Sequence, residues 1–440
     1  MAVRLGGGLG LGQPARGQRS VLPEGDVNVL HVSTFDRHGG AALAAFRLHQ
    51  GLGGLGIRSR MLVASQSSDA PSVIAPRTRL SKLGHDLVAL IDRAPLALYR
   101  TRPATSFDIQ WIGSFPTSAV ARLAPDIIHL HWVAGGFLRI ETLAKLARPL
   151  VWTLSDMWPF TGGCHVSGDC DRYRSQCGRC WQLGSDSTRD LTHWVWWRKE
   201  RAWRHIDLSL VAPSRWIADR ARSSSLFRER PIRVIPNGVD TSVFKPLEKA
   251  FARRCLDMDP DRHVILFGAI NAIEDPNKGF DLLIEAIRIV SRRLSAARHE
   301  LVIFGCSEPG KPQELGLATR YLGRLADEVS LAIIYNAADL MVVPSRQESF
   351  CQTAAEALAC GTPVVAFDAT GLRDVVEHGV DGYLARPYEP EDLANGMVQI
   401  LMSAADGKMA QRARQRAVDE FSLGKVARKY AELYKEVLDR

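Results

Sequence analysis

The segment "SRQESFCQTAAEALACGTPVVAFDATG", residues 345–371, holds two glutamates, Glu348 and Glu356, that stand eight positions apart. A helix that begins near Gln352 would cover at most about 12 Å over these positions and would place both carboxylates within roughly 80° of each other. Its N-terminus would offer free N–H groups to a phosphate. A bound molecule with a phosphate at the helix start and a hydroxyl-rich ring at each carboxylate would suit this spacing, and a nucleoside diphosphate sugar has that layout.

A plainer interpretation of the two glutamates stays open at this point. Glu348 would then only favour the N-terminus of the helix through its charge, and Glu356 would be a surface residue. The residues that surround the two glutamates are needed to choose between these two interpretations.

Apolar runs of strand length alternate with helical stretches on both sides of this segment. The predicted strands are "VNVLHVST", "SRMLVAS", "PDIIHLHW", "PLVWTLSD" and "DLSLVAPS" in the first half, and "HVILFGAI", "HELVIFG", "DLMVVPS" and "PVVAF" in the second. Such alternation predicts parallel sheets with helices on their faces. We therefore expect an α/β fold of two Rossmann-like domains, with ligands in a cleft at the carboxyl ends of the strands.

Composition shifts divide the chain into segments. A Pro-rich stretch with an Asn-Gly turn near the middle marks a linker, and the end of the chain has apolar residues on one helical face. We predict a disordered Gly-rich leader over 1–26, a first domain over 27–230 with a Cys-rich loop at 162–184, a linker over 231–248, a second domain over 249–420 and an amphipathic C-terminal helix over 421–440.

The totals suit a protein of two or three domains. The chain has 440 residues, 46% hydrophobic and 24% charged. Its formal net charge of +8 suits an anionic partner such as a nucleotide, a phospholipid surface or nucleic acid. Nothing approaches about eighteen consecutive apolar residues, so no transmembrane helix is predicted. We expect a cytosolic protein.

Several motifs in order resemble the retaining family-4 (group 1) glycosyltransferases. They are "APSRWIADRARSSSLF", "IRVIPNGVD", "KGFDLLIEAI" and the stretch from "PSRQESF" to "EALACGTPVVA". The block "DMWPFTGGCH" is similar to a branch that makes bacterial surface polysaccharides, including exopolysaccharides. The resemblance runs from about Asn28 to the C-terminus. It implies the GT-B fold, with the last helix crossing back to the first domain.

The resemblance assigns roles around the donor sugar. Glu348 would contact the sugar hydroxyls, Ser349 and Phe350 would lie beside the sugar and diphosphate, and Glu356 would bind the ribose hydroxyls. Asp156, at the end of the strand "PLVWTLSD", points near the same cleft and is a further catalytic candidate.

Other matched positions concern the diphosphate. Lys278, in "NKGFDLL", would neutralise it, and Gly39 and Gly40, in "DRHGGAA", would let a first-domain loop approach closely because glycine lacks a Cβ. Such enzymes need no metal for catalysis, since a cation and helix N–H groups stabilise the leaving diphosphate. The implied reaction moves a hexose to a saccharide or lipid-linked acceptor and keeps the anomeric configuration.

Three positions depart from the family pattern. Ile270 and Asn271 stand where an arginine is usual, and Arg324, in "LGRLADE", is a candidate to replace its charge on the diphosphate. Ser155 replaces a histidine that usually precedes Asp156. Cys351 replaces a glycine that permits close backbone approach. These departures put the catalytic details in doubt and keep open a non-catalytic member that binds nucleotide sugar or a partner transferase.

Four cysteines cluster in one loop with the spacing Cys-x5-Cys-x6-Cys-x2-Cys: Cys164, Cys170, Cys177 and Cys180. Four thiolates suit a tetrahedral structural zinc, and His165 is a further ligand candidate. In a cytosolic protein, metal binding is favoured over disulfides. The alternative is four reduced thiols without a metal.

Tryptophan and basic residues alternate in "THWVWWRKERAWRHID". The combination suits a membrane interface, a saccharide or single-stranded nucleic acid. A buried helix whose tryptophans pack the first domain is favoured over all three. If the patch is exposed, a lipid-linked acceptor at the inner membrane face becomes attractive.

His129 and His131, on the strand "PDIIHLHW", face the same side and could line the acceptor pocket, although a structural role is more usual. A nucleotide-sugar epimerase of the same fold is disfavoured by Lys278 together with the spacing of the two glutamates. A nucleic-acid module is unlikely, because no nucleic-acid motif is recognisable.

Overall fold

The computed structural model describes residues 27–76, 79–100, 102–103, 105–308, 314–325, 327–403 and 407–440. The predicted leader over 1–26 lies outside the described residues. Two parallel sheets form the frame of the molecule, one in each half of the chain. The α/β fold class expected from the sequence is confirmed.

The first sheet has the order β3-β2-β1-β4-β5-β6-β7. All of its strand pairs are parallel. Its strands are β1 Asn28–Phe35, β2 Arg58–Ser65, β3 Val73–Ile74, β4 Ile127–Leu130, β5 Leu150–Thr153, β6 Leu208–Ala212 and β7 Ile232–Val234.

The second sheet has the order β10-β9-β8-β11-β12-β13 and is also parallel throughout. Its strands are β8 His263–Gly268, β9 His299–Phe304, β10 Ala318–Tyr321, β11 Leu340–Val343, β12 Val364–Phe367 and β13 Gly382–Ala385. In both sheets the strand order reverses once near the middle, between β1 and β4 and between β8 and β11. Ligands of doubly wound sheets bind outside the carboxyl ends of the strands at such a point.

Helices cover both faces of the sheets. They are α1 Gly40–Gly54, α2 Arg79–Arg93, α3 Thr117–Leu123, α4 Leu191–Trp203, α5 Arg215–Ser223, α6 Lys249–Cys255, α7 Phe280–Arg293, α8 Glu328–Ala337, α9 Gln352–Ala359, α10 Leu372–Val375, α11 Pro390–Ser403, α12 Lys408–Arg416 and α13 Leu423–Leu438. Within the described ranges, no helix combines the length and the apolar character that crossing a membrane requires.

Sequence patterns identified the nine inner strands and missed β3, β7, β10 and β13, which are the outer strands of the two sheets. Inner strands are buried on both faces and read as apolar runs. The outer strands have two to four residues, and β7 and β10 are half-buried or exposed along their length. Strand β7 lies inside the segment predicted as the linker, so the first sheet extends to Val234.

Helix α13 packs on the first sheet although it follows the second in sequence. Its apolar face, which includes Val426 and Tyr430, joins Val29, Ile127 and Val151 in one buried cluster. The chain returns beside the linker, where the backbone N–H of Val239 donates to Phe421 O at 2.8 Å. The last helix therefore ties the two domains together.

Candidate active site

A cavity of about 750 Å³ lies between the two domains, at the carboxyl ends of both sheets. It takes its walls from loops that follow β1, β5, β8 and β11, on both sides of the two switch points. The residues named from the sequence that line it are Gly39, Gly40, Asp156, Lys278, Arg324, Glu348, Ser349, Phe350 and Glu356.

Lys278 and Glu348 form an ion pair on the second-domain side, with Nζ and Oε1 2.8 Å apart. Gly279 makes this possible: its φ is +69°, and a Cβ there would lie 2.0 Å from Pro344 O. The lysine loop can therefore rest directly against the loop after β11. Burial lowers the pKa of Lys278, but Glu348 offsets this effect and holds that pKa well above its ordinary value. The cavity thus has a fixed ammonium group beside a carboxylate.

Helix α9 begins at Gln352 with no side chain capping its first N–H groups. Both polar atoms of the Gln352 side-chain amide are buried and have no hydrogen-bond partner among the described residues. Cys351, just before the helix, has φ +88°, a left-handed conformation that favours glycine. The family's usual glycine at this place therefore fits the backbone better than the cysteine. Uncapped N–H groups and an unpaired amide suit an anionic, hydroxyl-bearing ligand.

Glu356 lies on the second turn of α9, and its side chain is 2% exposed. Its Oε2 accepts a hydrogen bond from the Tyr335 hydroxyl at 2.9 Å. Its Oε1 lies 2.8 Å from Nη2 of Arg47, which comes from α1 of the first domain and also pairs with Glu328. Burial raises the pKa of Glu356, and Arg47 only partly offsets the rise. Glu356 is therefore a buried residue rather than a surface one.

Gly39 and Gly40 form the turn that starts α1. Gly39 has φ +89°, and a Cβ there would meet no atom within 4 Å, so the space beside it opens into the cavity. Next to it, His38 Nδ1 lies 3.1 Å from Nη2 of Arg324, which reaches across from the second domain. Arg324 therefore lines the same cavity as Lys278. Ile270, at the position where the family usually has an arginine, also lines the cavity and gives it an apolar side chain there.

His165 completes the first-domain wall and was considered from the sequence only as a zinc ligand. Its Nδ1 lies 2.6 Å from Asp156 Oδ2, and its Nε2 lies 2.8 Å from Asp108 Oδ2. Burial lowers the pKa of His165, but the two carboxylates reverse this and raise it to about 10. The imidazole is therefore charged at neutral pH. We call His165, Asp156 and Asp108 the cleft cluster.

Asp156 is held by three donors. Besides His165, Trp132 Nε1 donates to Oδ2 at 2.9 Å, and the backbone N–H of Trp158 donates to Oδ1 at 2.8 Å. Ser155 lines the cavity beside it. The family usually has a histidine at position 155, directly before Asp156. In this chain the imidazole of His165 lies beside Asp156 instead.

Phe350 has its ring buried against Phe421, with centroids 5.5 Å apart, so it supports the cavity wall from the core side. Ser349 is half-buried in the same loop. The backbone of this loop is fixed from behind, because the N–H of Gly371 donates to Glu348 O at 2.8 Å.

The Cys-rich loop contacts the second domain next to the site. The backbone N–H of Gly168 donates to Gln347 Oε1 at 3.2 Å, and Gln347 Nε2 lies 3.3 Å from Met157 Sδ. Gln347 immediately precedes Glu348. The loop thus bridges the two domains where the predicted sugar contact is made.

The four loop cysteines are free thiols. Burial, and to a lesser degree the neighbouring cysteines, raise the pKa of Cys164 to about 12 and that of Cys180 to about 11. Among the described residues, the one group of three ligating side chains whose atoms lie within 4.8 Å of one another is histidine-based, so the four sulfur atoms do not converge as a tetrahedral zinc requires. The structural zinc stays a prediction.

The histidine group consists of His31, His129 and His131, beneath α13, and we call it the seam cluster. His31 Nδ1 lies 2.9 Å from His131 Nε2, and His129 Nδ1 lies 2.6 Å from the Tyr434 hydroxyl. None of the three lines the cavity. His129 and His131 therefore have the structural role that the sequence favoured over a place in the acceptor pocket, with His129 against Tyr434 of the last helix and His131 against His31. Burial lowers the pKa of His131 to about 3.

The tryptophans of α4 divide between core and surface. Trp203 is buried, and Trp196 Nε1 donates to Ser225 Oγ at 2.8 Å. Trp194 and Trp197 are 39% and 43% exposed, and arginine side chains lie over their rings. The helix packs the first domain and also presents two aromatic side chains to solvent.

Arg47 and His165 are the site residues that sequence reasoning missed. Arg47 lies within a helix of ordinary apolar spacing, and its partners Glu328 and Glu356 are 281 and 309 positions away along the chain. His165 carried a usable signal, since it closes the block "DMWPFTGGCH" that begins with Asp156.

Comparisons with known proteins agree with this geometry. A family model described as Glycosyltransferase Family 4 matches residues 38–243, and one described as Glycosyl transferases group 1 matches residues 261–403. A relative in Thermobispora bispora, D-inositol 3-phosphate glycosyltransferase, is 34% identical over 337 residues, which cover 72% of this chain and 71% of the relative.

Solved glycosyltransferase structures share the fold. Sucrose-phosphate synthase from Thermosynechococcus elongatus is similar with a TM-score of 0.65 and 20% identity, over 94% of this chain and 99% of that one. Anabaena HepE, solved in complex with UDP and glucose, is similar with a TM-score of 0.59 and 19% identity, over 93% and 100%. Such likeness supports the two-domain GT-B architecture. The chain belongs to the family-4, group 1 glycosyltransferases.

Proposed function

We propose that the chain transfers a hexose from a nucleoside diphosphate sugar to a hydroxyl of a saccharide or lipid-linked saccharide, with retention of the anomeric configuration and without a catalytic metal. The observation that carries the proposal is the Lys278–Glu348 ion pair beside the uncapped start of α9, inside the interdomain cavity. One ammonium group and a set of helix N–H groups suit a leaving diphosphate.

Each residue has a part in the proposed reaction. Lys278 and Arg324 neutralise the diphosphate, and the turn at Gly39 approaches it from the first domain. Glu356 binds the ribose hydroxyls after exchanging part of its contact with Arg47. The exchange is possible because Glu356 Oε1, although 2.8 Å from Arg47 Nη2, has no hydrogen-bond partner among the described residues, so a ligand hydroxyl can donate to it.

Glu348 holds the hydroxyls of the donor sugar. In the free protein its carboxylate pairs with Lys278, and the ammonium group of Lys278 turns to the diphosphate when the donor binds. Asp156, fixed by His165, faces the acceptor side of the cavity, where it orients the attacking hydroxyl. His165 acts as a positioning residue, because both of its ring nitrogens are occupied by carboxylates.

The proposed acceptor is a saccharide, and an inositol phosphate is the second candidate. The block that ends in His165 supports a saccharide acceptor in the synthesis of a bacterial surface polysaccharide, such as an exopolysaccharide, on the cytoplasmic side of a membrane. The names of curated relatives instead support an inositol phosphate acceptor.

A thermal-shift screen against nucleoside diphosphates and their sugars tests donor binding first, since a ligand of the folded state raises the melting temperature. Transfer assays then compare inositol phosphate with lipid-linked saccharides, with and without chelator, and proton NMR of the product reads the anomeric configuration. Donor binding without hydrolysis or transfer to any acceptor would favour a non-catalytic, nucleotide-sugar-binding subunit. No shift with any donor would contradict the proposal.

A further inference from the structure

One end of the interdomain cavity is built by helices of both domains. A Cβ at Gly40, the first residue of α1, would lie 3.9 Å from Cγ of Gln352, the first residue of α9. About two turns further along α1, Nη2 of Arg47 lies 2.8 Å from Oε1 of Glu356. Both Gln352 and Glu356 line the cavity. We call Arg47, Gln352 and Glu356 the corner cluster.

The corner cluster has more polar atoms than partners. Among the described residues, no hydrogen bond is made by Nη1 or Nη2 of Arg47, by either polar atom of the Gln352 amide, or by Oε1 of Glu356, and all of these atoms are buried. The side chains of Arg47 and Glu356, which attract each other by charge, are 1% and 2% exposed. Buried polar groups are costly to leave unpaired. The corner is therefore built to receive a polar ligand group.

The guanidinium group of Arg47 is fixed from its other side. Its Nε donates to Glu328 Oε1 at 2.9 Å, and its Cζ lies 5.1 Å from the centroid of the Phe244 ring. Glu328 begins α8, and Phe244 precedes α6, so both partners lie outside the first sheet and its helices. Arg47 thus has a set orientation at the domain boundary, with its Nη donors left over.

The residue types of the corner select a neutral group that both donates and accepts. A guanidinium group only donates, an ionised carboxylate only accepts, and a hydroxyl does both. A phosphate would meet the carboxylates of Glu328 and Glu356 here, which disfavours an anion. A vicinal diol fits, since one hydroxyl can donate to Glu356 and accept from Arg47 while its neighbour bonds with the Gln352 amide.

We infer that the corner cluster reads the 2′-hydroxyl of the donor nucleotide, with Arg47 as the specificity-determining residue of the first domain. The inference rests on the proposed function for the place of the ribose at Glu356, and it adds the class of nucleotide: ribonucleoside diphosphate sugars. A 2′-deoxyribonucleotide, such as a thymidine diphosphate sugar, leaves buried donors and acceptors of the corner unpaired. A site that binds a hydroxyl rejects the analogue without it for this reason.

The test is a thermodynamic cycle between the ligand hydroxyl and the guanidinium group. Isothermal calorimetry gives the dissociation constants of UDP, GDP, ADP and their 2′-deoxy forms for wild type, Arg47→Met and Arg47→Lys. The matched control is Arg253→Met. The guanidinium group of Arg253 is also buried and pairs with Asp339 at 2.8 Å, and neither residue lines the interdomain cavity.

Wild type and the control variant should bind the preferred ribonucleotide at least about 30-fold more tightly than its 2′-deoxy form. In Arg47→Met this ratio should fall to about five-fold or less, because the hydroxyl has lost one of its two partners. Arg47→Lys should give an intermediate ratio, since lysine keeps the charge beside Glu328 and Glu356 but lacks the planar fork of donors.

A ratio near one in wild type would overturn the inference without any variant, and would leave the corner to water molecules. A wild-type ratio that persists in Arg47→Met and Arg47→Lys, with both nucleotide forms weakened equally, would also overturn it, because Arg47 would then only join the two domains. If Arg47→Met does not fold, wild type and Arg47→Lys still decide. Failure of wild type to bind any of these nucleotides would refute the proposed function, and this inference with it.

Discussion

The cleft cluster and the seam cluster are both buried, and both are built around histidine, yet their charge states are opposite. In the cleft, Asp108 and Asp156 raise the pKa of His165 to about 10. Under α13, burial lowers the pKa of His131 to about 3, and the neighbouring side chains are neutral hydroxyl and imidazole groups.

The comparison shows that burial alone does not decide whether a side chain is charged or neutral. A buried charge requires an opposite charge beside it, whereas a neutral network is stable without one. The cleft cluster pairs its charges within the first-domain wall of the cavity. The seam pairs neutral groups, which suits a permanent joint between domains. The predictions below test this division, from the largest expected effect to the smallest.

The substitution Glu348→Gln should lower the rate of transfer by about 100-fold, because in the proposed reaction the carboxylate contacts the donor sugar in the transition state. Affinity for the nucleoside diphosphate should change little, since Lys278 remains to bind it. Steady-state kinetics and calorimetry on the same preparation give both values. Near-normal turnover of the variant would contradict the proposed contact between Glu348 and the donor sugar.

The cleft cluster should make stability fall at alkaline pH. The pKa of His165 is raised to about 10 from an unfolded value near 6.5, so its contribution is complete below pH 6.5 and is lost as the pH rises toward 10. The free energy of unfolding of wild type, relative to His165→Gln, should fall by about 2 kcal/mol from about pH 7.5 to about pH 9.

Denaturant titrations at each pH measure this difference, and His378→Gln, at an exposed histidine, serves as the control. A difference between wild type and His165→Gln that is independent of pH would mean that the imidazole is not held charged in the cleft.

The substitution Glu356→Gln should weaken binding of a nucleoside diphosphate by about ten-fold, because it removes the charged group that we propose accepts hydrogen bonds from the ribose hydroxyls. The control is Asp339→Asn, since that carboxylate is also buried and pairs with Arg253 away from the cavity. Isothermal calorimetry compares the two variants. Equal loss of affinity in both would point to general destabilisation and not to a ligand contact.

The seam cluster should make stability fall at acid pH. His131 is neutral in the folded state down to about pH 3, whereas the unfolded chain takes up a proton below pH 6.5. Stability should therefore fall by about 1.4 kcal/mol per pH unit below 6.5 for each such histidine. His131→Gln should reduce that slope in urea titrations while leaving donor binding unchanged. An unaltered slope would contradict a neutral seam.

The fold followed closely from local sequence. Strands β1 and β11, for example, read as apolar runs because helices cover both of their faces. Strands β7 and β10 gave no such signal, since an outer strand is short and half exposed and is specified by its neighbour in the sheet. The resemblance to the family assigned Glu348 and Lys278 to one cleft, and both residues follow inner strands of the second sheet.

The charge states and cross-domain contacts did not follow from local sequence. Arg47 reaches Glu356 only because the two domains face each other, and His165 meets Asp108 only because a loop folds back over 57 positions. His129 likewise meets Tyr434 only because the last helix returns to the first domain.

The sequence by itself determined two parallel α/β domains, the family, and the loops that supply the cleft, because hydrophobic periodicity and turn residues act over a few positions. Tertiary structure alone decided which buried groups are charged, which face of α2 meets solvent, and where the last helix docks. Those properties depend on partners that are distant in the chain and adjacent only once the sheets have formed.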